Sequence, residues 1–161
     1  MNQRKIAEGA LLGAVGGMAM AMWSMIALAA TGEGFFAPVN LIAHSVWRNA
    51  PLDGTFSAGA LALGLAIHMM VSMMLGVVIV ELTARPSLGS GARAGIALGV
   101  PIAAWAGQLV IWEVLDSTAR AAFTPWVLFV GHLMFGMIAA LWIATADRSA
   151  HQGLETTPVA A

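Results

Sequence analysis

This chain of 161 residues is far more apolar than a soluble domain: hydrophobic residues make up 60% of it and charged residues 9%, against roughly 45–50% and about 25% in soluble proteins. It has no cysteine, which excludes disulfides, thiolate metal sites and iron–sulfur ligation. The formal net charge of −1, without any nucleic-acid-binding motif, argues against a nucleic-acid partner and leaves the lipid bilayer as the expected one.

Four apolar stretches are each long enough to cross a hydrocarbon core of about 30 Å, which takes ~20 helical residues. They are residues 9–30, 58–80, 94–115 and 126–144. Each is predicted to be an α-helix, because backbone polar groups cannot be left unpaired in lipid. The sequence therefore predicts an all-α membrane protein with one four-transmembrane-helix bundle over residues 1–146. A short disordered cytoplasmic tail is predicted over residues 147–161.

Basic residues near the helix ends predict the orientation, since they favour the cytoplasmic side. With both termini cytoplasmic, most of the basic residues lie inside and only Arg48 and Arg120 lie outside. The first apolar stretch is longer than the 7–15-residue core of a signal peptide. It is therefore interpreted as an uncleaved helix of a multi-pass protein.

The longest connection, residues 31–57, is predicted to contain a short interfacial helix in this first outside loop. The helix would begin at Pro38 and end near Arg48. Val39, Ile42 and Val46 have the spacing of an apolar helical face, and Trp47 suits a membrane boundary.

The chain also shows signs of an internal repeat. His68 and His132 each begin the pattern His-x-Met-x-small-Met inside an apolar stretch. The first and third predicted helices likewise align Gly9, Gly13 and Gly17 with glycines 82 positions later. These matches predict a tandem duplication of two helical hairpins related by an axis along the membrane normal. The two histidines would then lie at the same depth.

Small residues recur at four-residue spacing, which places them on one face of each helix. Such stripes let transmembrane helices approach closely. The predicted packing residues are Gly9, Gly13, Gly17, Ser72, Gly76, Gly95, Gly99, Gly107 and Gly136. Both histidines share a stripe with these residues and are expected to face the bundle interior.

Buried histidines inside a membrane span point to a functional site. Imidazole is a common ligand of zinc, copper and iron, and two facing rings can hold the iron of a haem. The sequence therefore predicts a transition-metal or haem b site in the outer half of the bundle, built on His68 and His132, with His44 and Glu113 as further candidate ligands. The neighbouring methionines are better explained by core packing than by ligation.

Three other interpretations stay open. In the first, the protein is an accessory packing subunit that contacts other membrane chains or copies of itself. In the second, His68, His132 and Glu113 line the pathway of a small-solute or proton permease. In the third, each histidine only hydrogen-bonds Ser72, a carbonyl or the other ring. Enzyme catalysis has little support, because no nucleophile, metalloprotease or nucleotide-binding motif is present.

Short motifs stand out between the second and fourth predicted helices. They are His68-Met-Met-Val-Ser72 with Glu81, Pro125-Trp126, and Gly131-His132-Leu133. Together they resemble the YagU-type family of small bacterial inner-membrane proteins. The resemblance implies four helices, with a histidine in the second and Gly-His-Leu in the fourth, and a bacterial inner-membrane location. The third helix departs from the family pattern, since it has no histidine.

Overall fold

The computed structural model describes residues 2–155, and the side chains of residues 2–146. This part of the chain forms six α-helices and contains no strand. The helices are α1 (Gln3–Ala30), α2 (Ala37–His44), α3 (Ala58–Thr83), α4 (Ser90–Leu115), α5 (Ser117–Ala122) and α6 (Pro125–Glu155). Of these, α1, α3, α4 and the Pro125–Ala146 part of α6 are long and apolar enough to cross a membrane. The prediction of an all-α fold with four helices long and apolar enough to cross a membrane is confirmed.

The helices extend beyond the predicted apolar stretches, and at the start of α1 a polar cap rather than hydropathy fixes the first residue. At the start of α1, the Asn2 side chain accepts a hydrogen bond from the backbone N–H of Arg4, 3.2 Å away. The Ser57 side chain caps α3 in the same way. At the other end of the chain, α6 continues to Glu155 through much of the predicted disordered tail. The remaining six tail residues, 156–161, lie outside the described residues.

The bundle is organised around α1, which packs chiefly on α3 and also on α6, while α6 packs in turn on α4. Glycines make the α1–α3 contact close. A Cβ at Gly9 would lie 2.5 Å from the Cα of Val77, and a Cβ at Gly13 would overlap the backbone of Ser72 and Met73. Such approach of two backbones is what small residues permit between transmembrane helices.

The short helices α2 and α5 lie at the end of the bundle where α1 and α4 end and α3 and α6 begin. We call this the α2 end. The predicted loop helix is present, but it spans Ala37–His44 and ends four residues earlier than expected. The helix ends at the point where the Ser45 hydroxyl donates a hydrogen bond to the Ile42 carbonyl oxygen, 2.7 Å away. All its residues except Ile42 are buried, with α1, α3 and α5 against it.

The predicted duplication and the interfacial position of α2 stay predictions. The repeated glycines have different surroundings in the two halves. Gly9, Gly13 and Gly17 lie against α3, whereas a Cβ at Gly95 or Gly99 would meet no atom within 4 Å among the described residues.

Candidate functional site

The α2 end of the bundle encloses a cavity of about 300 Å³. All four spanning helices, α2 and the segment after α5 contribute to its wall. The lining residues are Met20, Ala21, Ser24, Pro38, Val39, Ile42, Ser45, Ile67, His68, Val71, Gln108, Ile111, Trp112, Leu115, Phe123, Leu128 and His132. The wall is mostly apolar, with a few polar groups. The two histidines singled out in the sequence therefore meet at one site.

His68 is fixed on α3 by a contact with α1. Its Nε2 lies 2.9 Å from the carbonyl oxygen of Gly17. A carbonyl oxygen only accepts, so Nε2 carries the proton and Nδ1 of the neutral ring keeps its lone pair. The contact depends on Gly17, because a Cβ there would lie 2.5 Å from the Cβ of Ser72 on α3.

His132 is fixed within its own helix. Its Nδ1 lies 2.8 Å from the carbonyl oxygen of Leu128, one turn earlier in α6. By the same reasoning Nδ1 carries the proton and the lone pair lies on Nε2. The residue is 5% exposed, and Gly131 beside it faces Met20 of α1, whose Cγ would lie 2.7 Å from a Cβ at that position.

The two rings thus present the same chemistry from different helices. Each uses one nitrogen to donate to a backbone carbonyl. Within the described part of the chain, His68 Nδ1 and His132 Nε2 make no hydrogen bond. Both rings line one cavity, so their remaining nitrogens are the candidate acceptors for a ligand bound there.

Gln108 is a site residue that sequence reasoning missed. It lines the cavity from α4, and its Nε2 is buried without a hydrogen-bond partner among residues 2–146. An unpaired buried donor is destabilising by about 1–3 kcal/mol, so Gln108 Nε2 is a candidate contact for a ligand in the cavity. The signal was available: Gln108 is the only Asn or Gln in the four predicted spans.

His44 belongs to a separate polar cluster above the cavity. Its Nδ1 lies 2.6 Å from Oδ2 of Asp116 at the α4–α5 junction, and Arg48 also pairs with Asp116. Arg48 Nη2 further donates to the Leu115 carbonyl oxygen over 2.6 Å. The cluster connects the last residue of α2, His44, and the following Arg48 to the end of α4, and thereby helps to hold α2 in the cavity wall.

Asp116 is charged in this arrangement although it is only 3% exposed. Burial alone would raise the pKa of its carboxyl group. The Ala119 N–H, 3.0 Å from Oδ1, together with His44 and Arg48 outweighs burial and holds the pKa below the usual value of 3.8.

Glu113 lies apart from both groups. Its side chain is exposed and is not part of the cavity wall. The four candidate metal ligands therefore do not converge: only His68 and His132 share a site. Among the described residues, no group of three or more His, Cys, Asp or Glu side chains is arranged to hold a metal ion.

The predicted packing residues also divide into two groups. Gly9, Gly13, Gly17, Ser72 and Gly76 lie in the α1–α3 contact, and Gly136 faces the α4 backbone, where a Cβ would lie 3.1 Å from the Cα of Leu98. In contrast, a Cβ at Gly95, Gly99 or Gly107 would find open space around α4 within this part of the chain.

Comparison with protein families, with curated proteins and with solved structures finds no match for this chain. Arguments about function therefore rest on the geometry of the cavity.

Proposed function

We propose that this protein binds a small, largely apolar molecule inside the membrane, in the cavity between His68 and His132. The observation that supports this most is the pair of acceptor nitrogens, fixed on α3 and α6, that serve one apolar cavity. Ligand sites in proteins are typically apolar hollows with a few fixed polar groups. The two rings would hold the polar part of the ligand, and the aliphatic wall would hold the rest.

The size of the cavity favours an organic molecule over a bare ion. Its volume of about 300 Å³ lies at the lower end of the range of roughly 300–1,000 Å³ for small-molecule pockets. A metal ion, by contrast, is held by ligands only about 2.0–2.3 Å away, so it would leave most of this cavity unfilled.

The close α1–α3 backbone contact at Gly9 and Gly13 lies beyond the histidines, toward the opposite end of these helices. This favours a binding site that ends inside the bundle over a pathway that runs through it.

A transition-metal or haem b site is the second candidate, and one specific feature favours it. Metal-binding histidines usually donate their other ring N–H to a carbonyl or carboxylate, which is how His68 and His132 are held. Met20 adds a thioether to the cavity wall, and such a set of soft ligands would suit Cu(I). A haem iron would instead be bound by the two rings alone.

We propose further that the protein resides in a bacterial inner membrane with both termini in the cytoplasm. The excess of basic residues on that side and the resemblance to YagU-type proteins support this. The chain has no native cysteine, so single cysteines introduced at Leu52 and Ser87, both exposed loop positions, can be tested separately. An impermeant maleimide added to intact cells should label Leu52→Cys and spare Ser87→Cys; the reverse pattern would invert the topology.

The function is tested on protein purified in nanodiscs from its native membrane. Solvent extraction should release one organic compound in stoichiometric amount from the wild type and much less from a His68→Leu/His132→Leu variant. Mass spectrometry identifies the compound and measures its amount. Elemental analysis and an optical spectrum of the same samples distinguish the second candidate, which requires bound copper or haem that is lost in the variant. A preparation with neither a compound nor a cofactor that depends on the histidines contradicts both candidates.

A further inference from the structure

Between α3 and α4 the wall of the cavity consists of side chains that are largely exposed. Val71 on α3 and Ile111 and Leu115 on α4 line the cavity, and each has more than half of its surface exposed. Such exposure of lining residues points to a side opening of the cavity between these two helices. The α3–α4 contact is also much less extensive than the contacts of α1 with α3 or of α4 with α6.

This opening, which we call the α3–α4 portal, faces the surroundings of two membrane-spanning helices. A molecule that passes through it therefore comes from the lipid phase and not from water. A hydrocarbon tail attached to the bound molecule could remain in the portal, between Val71 and Ile111, while its head occupies the cavity.

The polar groups of the cavity define the head. His68 Nδ1 and His132 Nε2 are acceptors, because the N–H of each neutral ring is already engaged by the backbone. They call for two hydrogen-bond donors on the ligand. The Gln108 Nε2 is a donor without a partner among the described side chains, and it can be satisfied by one acceptor oxygen on the ligand. A ring with two hydroxyl groups satisfies all three, since each hydroxyl oxygen donates once and also accepts.

Building on the proposed function, we infer that the cavity takes a lipid-soluble quinol through the α3–α4 portal and discriminates against the corresponding quinone. The quinone has carbonyl oxygens only, so it would place lone pairs against the lone pairs of His68 and His132. To donate to it, either ring would have to give up its bond to Gly17 or Leu128. Gln108 can donate to both forms, so the discrimination comes from the histidines.

The test uses full-length protein in nanodiscs, equilibrated under anaerobic conditions with decylubiquinol or with decylubiquinone. Bound ligand is measured by chromatography as the excess over empty nanodiscs of the same lipid. We expect the quinol to bind about five- to a hundredfold more tightly than the quinone, because two hydrogen bonds separate the two forms. His68→Leu and His132→Leu should each weaken quinol binding several-fold, whereas quinone binding should not weaken, because each change removes a lone pair that opposes a quinone oxygen.

The portal is tested by enlarging one of the largely exposed side chains in its wall. Ile111→Trp should slow quinol uptake at least several-fold, whereas Val110→Trp, on an exposed neighbour that does not line the cavity, should leave the rate unchanged. Because both positions are exposed, folding of the variants is expected to be normal. Binding of a water-soluble hydroquinone without a tail is measured as well, because such a ligand reaches the protein from water. It should bind more weakly than decylubiquinol.

The outcomes separate this inference from the proposed function. Equal binding of quinol and quinone overturns the inference, as does tighter binding of the untailed hydroquinone or uptake that is insensitive to Ile111→Trp. If another apolar compound binds in a way that depends on both histidines, the proposed function stands and the quinol assignment fails. If no compound binds in that way, both fail.

Discussion

The ring of His68 on α3 is held by the main chain of α1, with its Nε2 2.9 Å from the carbonyl oxygen of Gly17. The same glycine brings the two helices together, because a side chain there would collide with Ser72. Helix packing and the orientation of a site residue thus depend on one position. A change that separates α1 from α3 should disturb both.

Replacing Gly17 with alanine should therefore lower the free energy of unfolding by about 1–3 kcal/mol, the usual range for overpacking a close contact. Ligand binding should weaken as well, since His68 loses its fixed orientation. Reversible unfolding in mixed micelles of detergent and SDS measures the first effect, and a binding titration measures the second.

Gly99→Ala is the matched control, because this glycine has open space around it. Alanine loses less conformational freedom than glycine when the helix forms, so Gly99→Ala should leave the free energy of unfolding unchanged or raise it by roughly 0.5–1 kcal/mol. A strongly destabilising Gly99→Ala, measured in the same micelles, would reveal a second chain packed on α4. Equal effects at Gly17 and Gly99 would contradict the packing described here.

The cluster of His44, Asp116 and Arg48 predicts sensitivity to acid. The folded state holds the pKa of Asp116 below its usual value of 3.8, so this group contributes stability that is fully present above about pH 5. That contribution is lost as the pH falls below ~4 and through the folded pKa. Asp116→Asn should thus lower the free energy of unfolding at neutral pH by about 1–2 kcal/mol and make it less dependent on pH in the acid range. The loss is no larger because Arg48 is more than half exposed to solvent, which weakens its pairing with Asp116.

Unfolding measured between about pH 3 and about pH 7, which covers the titration of a carboxyl group, checks this prediction. Asp53→Asn is the control: the pKa of Asp53 is also lowered, by the N–H of Thr55, but the group is exposed and closes only a local turn. The two variants should therefore differ. If Asp116→Asn retained the acid sensitivity of the wild type, the cluster would not be what holds α2 in place.

Gln108 offers a way to separate a structural role from a binding role. Its amide nitrogen has no partner in the described part of the chain, so Gln108→Leu should leave stability unchanged or raise it by up to about 1 kcal/mol. Affinity for an oxygen-bearing ligand should fall about tenfold, since a buried acceptor on the ligand would lose its donor. Thermal denaturation and a binding titration on the same preparation check both statements. A loss of stability without a loss of affinity would assign Gln108 to the fold.

Hydrophobic length was enough to predict the four spans, because lipid leaves the backbone no alternative to a helix. His68 and His132 were equally visible, as isolated polar rings in apolar stretches. The pairing of His44 with Asp116 was not, since the two residues are 72 positions apart and only the folding back of α2 brings them together. Sequence reasoning placed His44 with the other histidines for that reason.

The glycine stripes show a different limit. Gly13 and Gly95 occupy equivalent places in similar patterns, yet Gly13 touches the α3 backbone, whereas Gly95 faces open space among the described residues. A stripe predicts that a helix can be approached closely, but which neighbour approaches depends on the order of the helices in the bundle. Gln108 was overlooked because a single amide has no periodicity, although an unpaired polar group in a span is itself a signal.

The most direct test of the account is nitrogen NMR of isotope-labelled histidine in nanodisc-embedded protein, with the resonances assigned by His68→Leu and His132→Leu. We predict that His68 carries its proton on Nε2 and His132 on Nδ1. Addition of decylubiquinol should shift the unprotonated nitrogen of both rings together, while the His44 resonances stay in place. Two results would contradict the claim that these two histidines form a binding site. One is the opposite tautomer on each ring, and the other is that the ring nitrogens respond to none of the quinol, other apolar compounds, Cu(I) or haem.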